Sequence, residues 1–156
     1  LLRAGEVRHV VDIRTVPRSR TNPHFNEDAL GPALAAYQLG HSRIAALGGL
    51  RKKQPEVPPE ANGWWDNRSF HNYADHALSG AFAEGLAELV ALGREQRVAM
   101  MCSEAVWWRC HRRIVADWLL ARRESVFHLM ADDRVEPAKL SEGACIANGA
   151  VTYPGA

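Results

Sequence analysis

Lysine is almost missing from this sequence: of 19 basic residues, 16 are arginine and only Lys52, Lys53 and Lys139 are lysine. Arginine holds phosphate or carboxylate in a bidentate fork that lysine cannot offer, so the bias is compatible with anion recognition. The net charge is only +1, which excludes the overall basic field of many nucleic-acid binders. Three cysteines, Cys102, Cys110 and Cys145, cannot make a disulfide framework and point to a reducing, cytoplasmic setting. No apolar run approaches a membrane span, and no signal-peptide pattern, internal repeat or low-complexity tract is present. The apolar fraction of 47% over 156 residues then fits one soluble domain with a substantial core.

The stretch richest in chemistry is Arg97 to Arg113. An apolar run, Val98 to Met101, stops at Cys102, Ser103 and Glu104. A loop with Trp107 and Trp108 leads into Arg109, Cys110, His111 and Arg112, where a helical stripe of Ile114, Val115, Trp118 and Leu119 begins. Upstream, Val7 to Arg14 is β-branched and apolar on both faces, as in a strand covered from each side. Its period of two puts Asp12 and Arg14 on one face at the carboxyl end. A helix is expected from Asn26 to about Gln38, burying Leu30, Leu34 and Tyr37, and a weaker strand from His41 to Leu47. Residues 54–68, with Pro55, Pro58, Pro59 and Gly63, read as a long loop able to act as a lid. A short helix over Phe70 to Leu78, a longer one over Ala81 to Leu92, strands over 97–102 and 125–130, and a tail segment over Ala147 to Tyr153 complete the chain. Strands alternating with helices predict an α/β fold: a three-layer sandwich with a mostly parallel, Rossmann-like central sheet.

In such sheets ligands bind beyond the carboxyl ends of the strands. That edge collects Asp12 and Arg14 from the first strand, Gly48, Gly49 and Arg51 after the second, and Cys102 and Glu104 after the third. A helix starting near Cys110 and His111 aims free N–H groups the same way, which favours an anion. Cys102 is then either a nucleophile, its thiolate stabilised by the helix start and arginines, or a small apolar wall residue. Glu104 is either an acid–base group or half of an ion pair. Asp12 and Arg14 either serve the ligand or bridge each other. Adjacent helical residues point roughly 100° apart, and the Cys-x-x-Cys spacing of zinc sites is missing. The sequence therefore assigns no metal to Cys110 and His111, and it specifies no cofactor. The tryptophan pairs, 64–65 and 107–108, are packing residues or stacking faces for a base.

Val-Asp-Ile-Arg-Thr-Val-Pro-Arg-Ser-Arg (11–20), Leu-Gly-Gly-Leu-Arg (47–51), Asn-Tyr-Ala-Asp (72–75) and Met-Cys-Ser-Glu with Cys-His-Arg (101–112) occur in this order. Together with His128 and Val-Thr-Tyr-Pro (151–154), they resemble the bacterial and archaeal family "domain of unknown function 488". The resemblance implies a fold and a site, not a reaction. Its polar positions fall on Asp12, Arg14, Pro17, Ser19, Arg51, Tyr73, Cys102, Glu104, Cys110, His111 and Arg112. It also implies a preceding strand and helix, of which Leu1 to Gly5 would be the helix end. The expectation is an enzyme for an anionic or nucleotide-like ligand. Catalysis would fall to Cys102, Glu104 and Asp12, and binding to Arg14, Ser19, Arg51, Tyr73, Cys110, His111 and Arg112. The alternative is a non-catalytic module for nucleic acid or nucleotide, built on the 14–20 loop, Arg51-Lys52-Lys53 and the tryptophans.

Overall fold

The computed structural model describes residues 2–17, 23–104 and 106–155. The fold is mixed α/β, built on a parallel sheet of three strands in the order β2-β1-β3. These are β1 (His9–Asp12), β2 (Gly40–Arg43) and β3 (Val98–Met101). Asp12 stands level with Arg43 on one side and Met101 on the other, so the three strands end together. Consecutive Val10 and Val11 are both buried, as the central strand of a sheet covered on both faces requires.

Among the described residues four α-helices accompany this sheet: α1 (Glu27–Ala35), α2 (Arg68–His76), α3 (Gly80–Glu95) and α4 (Arg112–Ala121). The side chain of Asn67 caps α2 by accepting from the Ser69 and Phe70 amides, and Ser79 caps α3 through the Phe82 amide. Phe82, Leu86 and Leu89 form the buried stripe of α3, as their spacing predicts. On α4 the stripe of Ile114, Val115, Trp118 and Leu119 is buried as well. No helix among the described residues is long and apolar enough to cross a membrane.

Several expectations change. The first helix stops at Ala35, and Tyr37 is exposed rather than buried. The second strand is cut to four residues, and Ala45–Leu47 turns into a 3₁₀ helix. The strand at β4 (Phe127–Met130) does not join the parallel sheet. It pairs antiparallel with β5 (Arg134–Pro137), because only three residues separate them and a parallel return needs a crossover of a dozen or more. A second hairpin, β6 (Cys145–Ala147) with β7 (Ala150–Thr152), turns through Asn148 and Gly149, both at positive φ. That is the backbone a two-residue hairpin demands.

The 54–68 segment is not a free lid along its whole length. The Trp64 amide donates to the Tyr153 carbonyl, and the Tyr153 amide donates back to Ala61. Trp65 is in the core, and fully buried Asn62 donates to Asp75. Tyr153 then donates its hydroxyl to Asp117 on α4 at 2.7 Å. The tail, this segment and α4 are thus pinned by one buried polar chain, closed by the Tyr153 amide donating to Asn62 Oδ1 as well.

Candidate functional site

The order β2-β1-β3 reverses direction at β1. The chain leaves β1 toward one side, and β3 arrives on the other, so the segments after β1 and β3 diverge and leave a crevice. A cavity of about 500 Å³ opens there. Its walls are Arg14 and Thr15 after β1, Gly49 and Leu50 after β2, Cys102 to Glu104 after β3, Arg109 to His111 before α4, and Asn67, Ser69 and Phe70 at the start of α2. A larger cavity, about 850 Å³, lies at the opposite end of the strands, lined by Arg3, Arg8, Tyr37 and Arg97 among others. Among the described residues its lining has no cysteine or histidine, whereas the smaller one is lined by Cys102, Cys110 and His111.

His111 is the hub of the smaller cavity. Its ring is nearly buried, leaning on Tyr73 at 4.8 Å between centroids. Nε2 lies 3.0 Å from the Ile13 carbonyl, an oxygen that can only accept. Nε2 therefore carries hydrogen, and in the neutral ring Nδ1 keeps its lone pair. That Nδ1 is 3.8 Å from Cys102 Sγ and 3.5 Å from Cys110 Sγ. The close fit depends on Gly49: a Cβ there would stand 2.4 Å from Nδ1.

The two thiols act as a pair. Cys102 is held well below the ordinary thiol value, first by the hydrogen bond from Cys110, then by His111 and the backbone at Glu104, all against burial. Cys110 is pushed up by that same bond and by burial. Of the two, half-buried Cys102 is the sulfur that gives up its proton more readily, and buried Cys110 the one that keeps it. Cys110 also accepts from the backbone N–H of Arg112 at 3.5 Å and from its Nε at 3.3 Å.

The predicted arginines are tied to the protein itself. Arg14 is buried and forks onto fully buried Asp12, with Nη2 to Oδ2 at 2.7 Å and a further bond to the Phe25 carbonyl. Arg51 donates to the carbonyls of Gly48 and Ala45, holding the turn after β2. Arg112 donates to the Glu104 carbonyl. Tyr73 is wholly buried, with its hydroxyl on the Leu47 carbonyl, so it supports His111 from behind. Ser19, with Arg18 and Arg20, lies outside the described residues.

Sequence reasoning gave no site role to Arg109, exposed at the cavity edge, or to Thr15, whose hydroxyl accepts from the Leu50 amide at 2.8 Å. Arg109 sits inside the Trp-Trp-Arg-Cys-His-Arg run, and its position between a loop and the first site cysteine is the available signal. Trp65 is core, and Trp107 stacks on His128 at 3.9 Å. Trp108 is 43% exposed.

Residues 1–119 match the family described as domain of unknown function DUF488. The chain belongs to this family. The matched part spans the parallel sheet, all of the cavity wall and most of α4. No curated protein and no solved structure matches the chain.

Proposed function

We propose that this family member is an enzyme that holds an anionic, nucleotide-like ligand beyond β1 and β3 and acts on it through Cys102. The observation that carries the reading is the 3.8 Å approach of Cys102 Sγ to a His111 nitrogen whose ring partner is already committed to Ile13. A thiol serves as nucleophile when a base is within reach and a third group orients that base. In this reading Cys102 gives its proton to His111 Nδ1, its sulfur bonds to the ligand's electrophilic atom as that atom's bond to the leaving group breaks, and His111 passes the proton on to the leaving group. Glu104, on the same wall, is the second acid–base group.

Anion binding passes to Arg109 at the cavity edge, because Arg14, Arg51 and Arg112 already serve protein acceptors. Those three, with Asp12 and Tyr73, are positioning residues. Leu50 and Phe70 offer an apolar wall for a base or similar ring.

The test is iodoacetamide labelling of the native chain, read peptide by peptide. Cys102 is expected to label faster than exposed Cys145, although it is less accessible. Inorganic phosphate should slow it, and Arg109→Ala should remove that protection. If Cys102 labels only after unfolding, the nucleophile role is refuted and Glu104 becomes the leading catalytic group.

A further inference from the structure

We propose that Cys102, Cys110 and His111 form a site for a soft divalent metal of the zinc class. Their three donor atoms lie within 4.8 Å of one another. A tetrahedral zinc at about 2.3 Å from sulfur and about 2.0 Å from nitrogen separates those donors by roughly 3.6 Å. The two sulfur-to-nitrogen distances, 3.5 and 3.8 Å, bracket that value, and the two sulfurs, about 3.8 Å apart in such a centre, lie within 4.8 Å of each other, so an ion needs a closure of at most about 1 Å between them.

The surroundings suit coordination as well. A metal-bound histidine typically gives its other ring N–H to a carbonyl or carboxylate, which fixes the tautomer, and His111 does this with Ile13. The N–H groups of Arg112 reach Cys110 Sγ, as donors do around metal thiolates. Two thiolates and a neutral imidazole around a divalent ion sum to zero charge, which tolerates the burial of Cys110 and His111. Binding as two thiolates releases the thiol protons to solvent. Because all three residues line the cavity, the fourth position opens to it, for water or an anionic ligand.

Occupancy has a consequence for the same site. A metal and an attacking thiolate cannot share the Cys102 sulfur, so the ion governs when that sulfur is free. This regulatory part rests on the nucleophile reading of Cys102; the metal site does not.

The experiment is titration of the reduced, metal-stripped full chain with cobalt(II), followed by zinc(II). One equivalent of cobalt should bind, with thiolate-to-cobalt charge transfer and the intense visible bands of a tetrahedral centre, and zinc should displace it. Cys145→Ser should leave spectrum and stoichiometry unchanged. Cys102→Ser should weaken charge transfer and lower the affinity by at least about tenfold, since loss of even an outer-shell partner costs roughly that much. Cys102 is only half-buried, so this variant avoids disturbing the core at Cys110. Absence of charge transfer in the parent chain, or its full retention in Cys102→Ser, would overturn the site. Labelling with iodoacetamide in chelator separates the two readings. Fast labelling without cobalt binding removes the metal and leaves the nucleophile. Cobalt binding with an inert Cys102 in chelator removes the nucleophile and leaves the metal site.

Discussion

Replacing Gly49 by alanine probes the contact on which the candidate site depends. The added methyl would lie 2.4 Å from His111 Nδ1, 2.7 Å from Cε1 and 3.0 Å from Cγ, against an ordinary contact of at least 3.4 Å. The ring or the loop must therefore give by about 1 Å at the closest atom. The ring has little room, held by the Ile13 carbonyl on one side and Tyr73 on the other. Overpacking of this kind costs about 1–3 kcal/mol, and loss of the Ile13 hydrogen bond adds about 1 kcal/mol. Against a total stability of about 5–15 kcal/mol, a loss of roughly 2–4 kcal/mol is easily measured by urea unfolding. Gly93 supplies the control. It lies in α3 with nothing within 4 Å of its virtual Cβ, so Gly93→Ala should stabilise by about 0.5–1 kcal/mol. The imidazole N–H bound to Ile13 should exchange slowly in the parent and in Gly93→Ala, and fast in Gly49→Ala, as read by NMR. A Gly49→Ala protein as stable as its parent, with that proton still protected, would refute the close approach and the hub role of His111.

Two further outcomes follow from buried groups. Asp12→Asn keeps the shape of a fully buried side chain but leaves the Arg14 guanidinium buried without its counter-charge; urea unfolding should show a loss of about 3–5 kcal/mol. The double variant Asp12→Asn/Arg14→Met should lose clearly less than the two single losses summed, and a single loss below about 1 kcal/mol would mean that the pair is solvated. Tyr73 and Tyr153 are both raised above the ordinary phenol value, chiefly by burial. Above the unfolded value of about 10 the unfolded chain sheds these two protons while the folded chain keeps them. Stability should therefore fall as pH rises, by about 2.7 kcal/mol per pH unit for the two tyrosines together. A stability flat between pH 9 and about 11 would count against the burial of both.

Much of the architecture was legible because it rests on short-range pattern. The β-branched run at Val10 to Ile13 and the stripe of Phe82, Leu86 and Leu89 locate β1 and α3 directly. The convergence at the carboxyl ends followed from strand direction alone, and Cys102, Glu104, Cys110 and His111 do line one cavity. Polar partners were less legible. Nothing local distinguishes an arginine aimed at a ligand from one aimed at a carbonyl, and Arg51 reaches Ala45 only because a 3₁₀ turn follows β2. Asp12 and Arg14 were left open between two roles, and their mutual distance, 2.7 Å under full burial, favours the bridge. The long-range tie from Tyr153 to Asp117, Asn62 and Asp75 joins residues far apart in sequence, and no periodicity carries such information.

The metal question turned on a helix boundary. Two adjacent residues inside a helix diverge by roughly 100° and do not readily share an ion. Cys110, however, closes the 3₁₀ turn Trp107–Arg109 with an extended backbone, φ −127° and ψ 151°. His111 is the residue before α4, which begins only at Arg112. The extended Cys110 swings its side chain back toward that of His111, and Nδ1 and Sγ meet at 3.5 Å. A boundary error of two or three residues is ordinary for sequence reading, yet here it removes the geometric premise of that reading: the helix begins just late enough for a thiol and an imidazole at neighbouring positions to face the same point. The same late start sets Arg112 where its backbone and guanidinium N–H groups reach Cys110 Sγ. A variant that extended α4 backward through Cys110 would rotate the thiol away from His111, and it should lose cobalt binding while leaving the core stripe of Ile114, Val115 and Trp118 in place.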